Sequence, residues 1–197
     1  MANTKSNVLT GKPAVSGAIY RGILNEDLTL PTNATADLDT DFKCLGYVSE
    51  DGVKHTMANE KEELKAWGGD VVLNLSQTRT DEFTFTLLEV LNDDVLKAVF
   101  GDNNVTITDA TTTAPKAIAI ASNDDEQPLC AWVIEMVQPD GNPKRIVIPK
   151  GRISEIGDIT YKDDEAVGYE VTIAAEKDSS GNTHYEYMTV GTATSGT

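Results

Sequence analysis

The chain contains few residues of the kinds that hold metals or form disulfides. Its 197 residues include two cysteines and two histidines. Cys44 and Cys130 each lie among apolar residues, which favours small buried side chains over a disulfide. His55 and His184 have no second histidine or cysteine at ligand spacing in the sequence, so we expect no metal site.

Long apolar runs and catalytic motifs are also missing from the sequence. No apolar stretch reaches 18 residues and no apolar segment follows the opening MANTK, so we expect neither a membrane span nor a signal peptide. The nucleophile elbow G-x-S-x-G, the phosphate-binding loop G-x-x-x-x-G-K-[ST] and the dinucleotide fingerprint do not occur. Carboxylates are numerous, but no spacing selects a catalytic pair. We therefore expect neither an enzyme nor a cofactor.

Basic residues are scarce relative to acidic ones. The chain has 16 Lys and Arg against 32 Asp and Glu, for a net charge of −16. Binding to nucleic acid by neutralising phosphates needs clustered cations, so this composition argues against it. Two interpretations are open: an ordinary soluble acidic surface, or a surface that stays close to a polyanion without adhering to it.

The clearest local signal lies in residues 81–101, DEFTFTLLEVLNDDVLKAVFG. Phe83, Phe85 and Leu87 alternate with polar residues, which predicts a half-buried strand. A helix is then predicted over residues 92–100, because Asn92 can cap it and Gly101 can end it. Its apolar positions recur at helical spacing, and they are Val95, Leu96, Val99 and Phe100.

The other periodic segments read as strands. Residues 71–76 and 83–87 are predicted as a hairpin joined by a polar link at 77–80. Further strands are predicted at 17–24, 42–49, 105–107, 116–121, 128–137, 144–149, 153–159, 169–175 and 184–190. Many short strands with regular turns predict a mainly β fold, two packed antiparallel sheets in a sandwich or partial barrel, with one flanking helix.

Three segments outside this pattern have weak or no periodicity. Residues 1–16 are predicted as an N-terminal arm, 17–190 as the β domain, and 191–197 as a small, polar tail. Residues 53–70 are charged and lack an apolar stripe, so we interpret them as a long extended loop. Trp67, near its end, has two interpretations: a plug at the core edge, or an anchor at a subunit contact.

In order, the segments LGYVSEDGV, KAWGGDVV and FTFTLLEVLNDDVLKAVFG resemble the major tail tube proteins of long, non-contractile-tailed bacteriophages, in the branch common among phages of Gram-positive hosts. The resemblance covers about residues 15–190. It implies six-subunit rings that stack into a tail tube, the conduit for DNA ejection. It also implies a virion protein made in the host cytoplasm, which works with a tape-measure protein, a tail terminator and a distal tail protein.

The resemblance further implies that the loop at about residues 51–69 contacts a neighbouring ring. The contact residues would be Asp51, Gly52, Lys54, Glu60, Lys61, Glu63, Trp67, Gly68 and Gly69. Alternation suggests Glu135 and Glu170 as acids facing the lumen. Two other hypotheses are open: the inner tube of a phage-like injection or secretion particle, and a monomeric β-sandwich binding module.

Overall fold

The computed structural model describes residues 8–15 and 17–191, without the side chains of residues 60–62 and 75–78. Half of the predicted arm (residues 1–7 and 16) and most of the predicted tail (192–197) therefore lie outside the described residues. The described chain forms these elements in order: β1 (Lys12–Pro13), β2 (Ile19–Ile23), β3 (Lys43–Cys44), β4 (Lys54–Lys65), β5 (Val71–Leu87), α1 (Asp93–Phe100), β6 (Val105–Thr108), β7 (Ala117–Ile120), β8 (Cys130–Val137), β9 (Pro143–Ile156), β10 (Tyr169–Ala175) and β11 (Tyr185–Met188).

Nine of these strands form one antiparallel sheet. Its order is β3-β2-β8-β9-β10-β5-β4, with β1 beside β8 and β11 beside β9. Strands β6 and β7 form a separate two-stranded sheet. The prediction of a mainly β, antiparallel fold of tail-tube type with a flanking helix is confirmed.

Strand β9 joins two regions of the large sheet. The sequence predicted two strands here, but Pro143–Ile156 is continuous: its first half pairs with β8 and β11, and its second half pairs with β10. At the junction, the Trp132 indole N–H donates to the Gly151 carbonyl at 3.0 Å. A Cβ on Gly151 would lie 2.8 Å from Ile173 Cγ2, so this close approach requires glycine.

The core forms on the inner face of β5 and β10. Phe83, Phe85 and Leu87 are buried, as the alternation predicted, and Val171 and Ile173 on β10 are buried beside them. Burying a side chain of this size contributes about 1.5–3 kcal/mol. The face of β5 that carries the phenylalanines is therefore fixed by burial.

Helix α1 covers one side of this core. The Asn92 side chain accepts a hydrogen bond from the Asp94 backbone N–H at 3.0 Å, and Gly101 ends the helix at a φ of 96°. The Phe100 ring meets Tyr169 edge-to-face at 5.5 Å. The predicted helix is thus confirmed, with Val95, Leu96 and Val99 buried and Phe100 partly buried. Within the described residues, no helix is long and apolar enough to cross a membrane.

Candidate assembly surface

Strands β4 and β5 form a long hairpin that extends beyond the rest of the sheet. They pair from Lys54 opposite Thr84 to Lys65 opposite Val71. Strand β10 pairs with β5 only from Asp81 to Leu87. Residues 58–80, here called the projecting hairpin, therefore have only each other as ladder partners. At the usual rise per residue, this part is about 30 Å long.

Two predictions about this region were wrong. Residues 54–65 form a strand where we expected a loop, and residues 71–87 form one continuous strand where we expected a hairpin. The physical reason is that β4 is held by its ladder to β5 and does not need a buried face. Its charged sequence consequently shows no alternation that could reveal a strand.

The tip of the projecting hairpin is a tight turn that displays a tryptophan. The Ala66 N–H donates to the Asp70 carbonyl at 2.8 Å, which closes the turn. Gly68 and Gly69 have φ values of 121° and 96°, a region that favours glycine. Trp67, which immediately precedes the two glycines, is fully exposed. The interpretation of Trp67 as a plug at the core edge is wrong.

The projecting hairpin also exposes aliphatic side chains near its tip. Each is about half exposed, and they are Leu64, Val71, Val72 and Leu73. Because successive strand residues point to opposite faces, the run of three on β5 leaves apolar surface open on both faces. Strand β4 is also last in the sheet order of the described chain, so its outer edge offers backbone groups to another chain.

The structure separates the predicted contact residues into two groups. Asp51, Gly52 and Lys54 lie at the base of the hairpin, where the Gly52 N–H donates to the Ser49 carbonyl at 3.0 Å. The other group lies near the tip and contains Glu63, Trp67, Gly68 and Gly69. Lys54 and Lys65 are the ends of one strand, about 35 Å apart. The side chains of Glu60 and Lys61 are not among those that the structure describes.

Glu135, one of the two predicted lumen acids, is held in an ion pair. Its Oε1 accepts from Arg145 Nε at 2.9 Å and also from Nη2. Arg145 Nη1 donates to the Asn33 carbonyl at 2.9 Å, so the segment after β2 covers the pair. The lumen position of Glu135 stays a prediction, and this carboxylate is already occupied in the chain.

Glu170, the other predicted lumen acid, is exposed on the sheet face opposite the core. Strand β5 contributes Glu82 and Thr84 to that face, and Thr84 Oγ1 lies 3.0 Å from Thr172 Oγ1 on β10. Where β5 pairs with β10, this face carries acids and hydroxyls, from Glu82, Thr84 and Thr86 on β5 and from Glu170 and Thr172 on β10. The lumen position of Glu170 also stays a prediction.

Sequence reasoning missed a cluster at the base of the projecting hairpin, here called the histidine–aspartate cluster (His55, Asp81 and His184). His55 Nε2 lies 3.6 Å from Asp81 Oδ1, and His184 Nδ1 lies 3.7 Å from Asp81 Oδ2. The prediction that the two histidines are isolated was wrong. They lie far apart in the sequence, and only the pairing of β4 with β5 and the approach of the segment before β11 bring them together.

The electrostatics of the cluster favour a charged Asp81 beside a neutral His184. Burial raises the pKa of Asp81. A hydrogen bond from Thr183 and the charge of Arg79 lower it by more than burial raises it, so the pKa lies below its usual value. Burial lowers the pKa of His184, and the nearby His55 lowers it again. Asp81 itself is almost completely buried.

Together, the sheet, the flanking helix and the projecting hairpin define a mainly β protein of tail-tube type. The profile of the phage tail tube protein family matches residues 1–195, and the chain belongs to that family. It is therefore a structural protein of a phage tail, and the family is not one of enzymes.

Two further comparisons add little to this assignment. No curated protein sequence matches the chain. A solved structure titled "Cryo-EM structure of the anti-feeding prophage (AFP) baseplate, 6-fold symmetrised" is similar over 90% of this chain and 97% of its own, at 12% identity and a TM-score of 0.36.

Proposed function

We propose that the chain forms six-subunit rings that stack into the tail tube of a long, non-contractile-tailed phage, through which DNA is ejected. Membership of the tail tube protein family supports this role. In the proposal the protein is made in the host cytoplasm. It assembles with a tape-measure protein, a tail terminator and a distal tail protein.

The main structural support for this proposal is the projecting hairpin. A monomeric protein gains nothing from a fully exposed tryptophan at the end of a hairpin about 30 Å long, whereas a large aromatic side chain can dominate a subunit contact. We assign Trp67 and the exposed aliphatic residues near it to the contact with a neighbouring ring. In the proposal the tip meets a different surface of the next subunit, so the contact is head-to-tail and can repeat along a tube.

The acidic charge of the chain is consistent with a channel for DNA. With twice as many acidic as basic residues, for a net charge of −16, the chain is poorly suited to hold phosphates. Within a Debye length of about 8–10 Å, carboxylates on a channel wall repel DNA weakly. We assign the polar face of β5 and β10, with Glu82 and Glu170, to the lumen.

Negative-stain microscopy of the purified chain at high concentration tests this function. The wild type should form hollow tubes or six-fold rings, and Trp67→Ala should remain a folded monomer. Tyr161→Ala is the matched control, because Tyr161 is also an exposed aromatic but lies away from the hairpin. A wild type that stays monomeric across salt and protein concentration contradicts the proposal; tubes formed equally by Trp67→Ala contradict the role of the hairpin tip.

A further inference from the structure

We propose that His55, Asp81 and His184 form a site for one divalent transition-metal ion, best suited to zinc, at the base of the projecting hairpin. Each residue offers one ligand atom, and these three atoms all lie within 4.8 Å of one another. The site is independent of tube assembly and can be tested on the single chain.

The distances fit a metal site after small side-chain movements. In a tetrahedral zinc site with bonds of about 2.0–2.1 Å, neighbouring ligand atoms lie about 3.4 Å apart. The two nitrogen-to-oxygen distances, from His55 and His184 to Asp81, are 3.6 and 3.7 Å. These two distances end on different Asp81 oxygens, and the three ligand atoms taken together lie within 4.8 Å, so the widest pair must close by up to about 1.4 Å on an ion placed between them.

His55 provides a second, independent observation. Its Nε2 is buried and has no hydrogen-bond partner. Its ring stacks on Phe83 at a centroid distance of 4.1 Å and an interplanar angle of 9°, which fixes the ring with Nε2 near Asp81. Buried polar atoms are normally paired, so an oriented nitrogen without a partner needs an explanation. A metal ion satisfies it.

The donor set selects the class of ion. Two imidazole nitrogens and one carboxylate oxygen suit zinc and its first-row neighbours, whereas calcium and magnesium prefer a shell made of oxygens. Three protein ligands leave the fourth tetrahedral position for water. Both histidine side chains are slightly exposed, at 18% and 13%, which leaves an entry path to the buried carboxylate.

Arg79 and Thr183 complete the surroundings of the site. Arg79 Nη2 donates to Asp81 Oδ1 at 3.2 Å, and its half-exposed side chain can turn into solvent when an ion takes its place. It therefore acts as a competing cation. The Thr183 hydroxyl donates to Asp81 Oδ2 and orients the carboxylate, as outer partners of metal ligands usually do. It also lies 3.3 Å from His184 Nδ1, a contact that the ion would replace.

A bound ion would connect three parts of the fold. His55 is on β4, Asp81 is on β5, and His184 immediately precedes β11, which pairs with β9 in the body of the sheet. An ion that binds only the folded chain stabilises it by mass action. It would therefore fasten the base of the projecting hairpin to the body of the subunit.

Zinc titration of the chelator-treated, full-length chain tests the proposal. Calorimetry should show about one equivalent of Zn²⁺ bound, and the thermal midpoint should rise with Zn²⁺. His55→Gln and His184→Gln should each weaken binding by at least about tenfold. Arg79→Ala should tighten it, which a purely structural cluster would not produce. Asp164→Asn, at an exposed carboxylate, is the control for non-specific binding and should leave affinity unchanged.

Cobalt provides a readout that does not depend on the variants folding. Co²⁺ added to the wild type should give the strong visible absorption of a tetrahedral nitrogen–oxygen site, and Zn²⁺ should displace it. The proposal is overturned if the wild type shows no saturable binding near one equivalent. It is equally overturned if His184→Gln binds Zn²⁺ as the wild type does, because the ion would then be held by surface carboxylates.

Discussion

Glu135 on β8 and Arg145 on β9 lie directly opposite each other and form an ion pair whose arginine is only 5% exposed. The Asn33 carbonyl accepts a further hydrogen bond from the same guanidinium. The pair therefore fastens the segment after β2 to the sheet. Removing one partner would leave the other charge buried and unpaired, which costs far more stability than the pair itself contributes.

Replacing Glu135 should destabilise the chain strongly. Glu135→Ala leaves a buried guanidinium without its carboxylate, and we expect a loss of about 3 kcal/mol in the free energy of unfolding. The matched control is Glu170→Ala, at an exposed acid on β10, which should change stability by no more than about 0.5 kcal/mol. Urea denaturation of both variants measures this, and equal losses would contradict the structural role of the pair.

The cap of helix α1 gives a smaller, well-defined effect. Asn92→Ala removes the acceptor for the Asp94 N–H and should cost about 1 kcal/mol. Asn92→Ser keeps a side-chain acceptor and should recover most of that loss. Thermal or urea unfolding of the two variants compares them. A serine variant as unstable as the alanine variant would show that the cap contributes little.

Asp178, in the turn between β10 and β11, gives a pH dependence of known sign. A hydrogen bond from the Tyr185 hydroxyl at 2.6 Å, and then the Asn182 backbone N–H, lower the pKa of its carboxyl. Because the folded pKa lies below the unfolded value of about 3.9, the stability it contributes is present above that value and is lost as pH falls through the folded pKa.

Asp178→Ala should therefore be less stable than the wild type at pH 7. The difference should shrink as pH falls below about 4. Urea denaturation from pH 7 to pH 3 measures it. Tyr185→Phe removes the largest favourable contact and should reproduce most of the pH-dependent part. A difference that stays constant down to pH 3 would contradict the shift.

Shortening the projecting hairpin separates folding from assembly. Lys61 and Gln77 already pair, so residues 62–76 can be replaced by Asn-Gly, which favours a two-residue turn. The core residues of β5 are untouched, so we expect wild-type circular dichroism and a similar thermal midpoint. Tubes should no longer be seen by microscopy. A shortened chain that still polymerises would place the ring contact elsewhere.

The sequence predicted the parts of the fold that local chemistry decides. Helix α1 has its cap at Asn92 and its stop at Gly101, and both signals lie within a few residues of the helix. The inner face of β5 was readable because burial imposes alternation on Phe83, Phe85 and Leu87. Strand β10 was predicted with its exact limits for the same reason.

What the sequence concealed depends on partners distant along the chain. Strand β4 is solvated and charged, and its extended form comes from the ladder to β5, so its residues show no period of two. The histidine–aspartate cluster is non-local in the same sense. His55 and His184 meet at Asp81 only because three separate elements converge there, and no spacing in the sequence indicates that.

Strand β5 runs without interruption from the exposed turn at Val71 to the buried Leu87. The exposed aliphatic residues assigned to the contact with a neighbouring ring and the residues that fill the core thus belong to one strand, whose ladder to β4 shifts register twice near the tip. Local opening should begin at the tip and stop at Asp81, where β10 joins the ladder, so amide hydrogen exchange should slow stepwise along a single strand. Contact that orders the tip should therefore also slow exchange in the part of β5 next to the core, because both belong to the same strand.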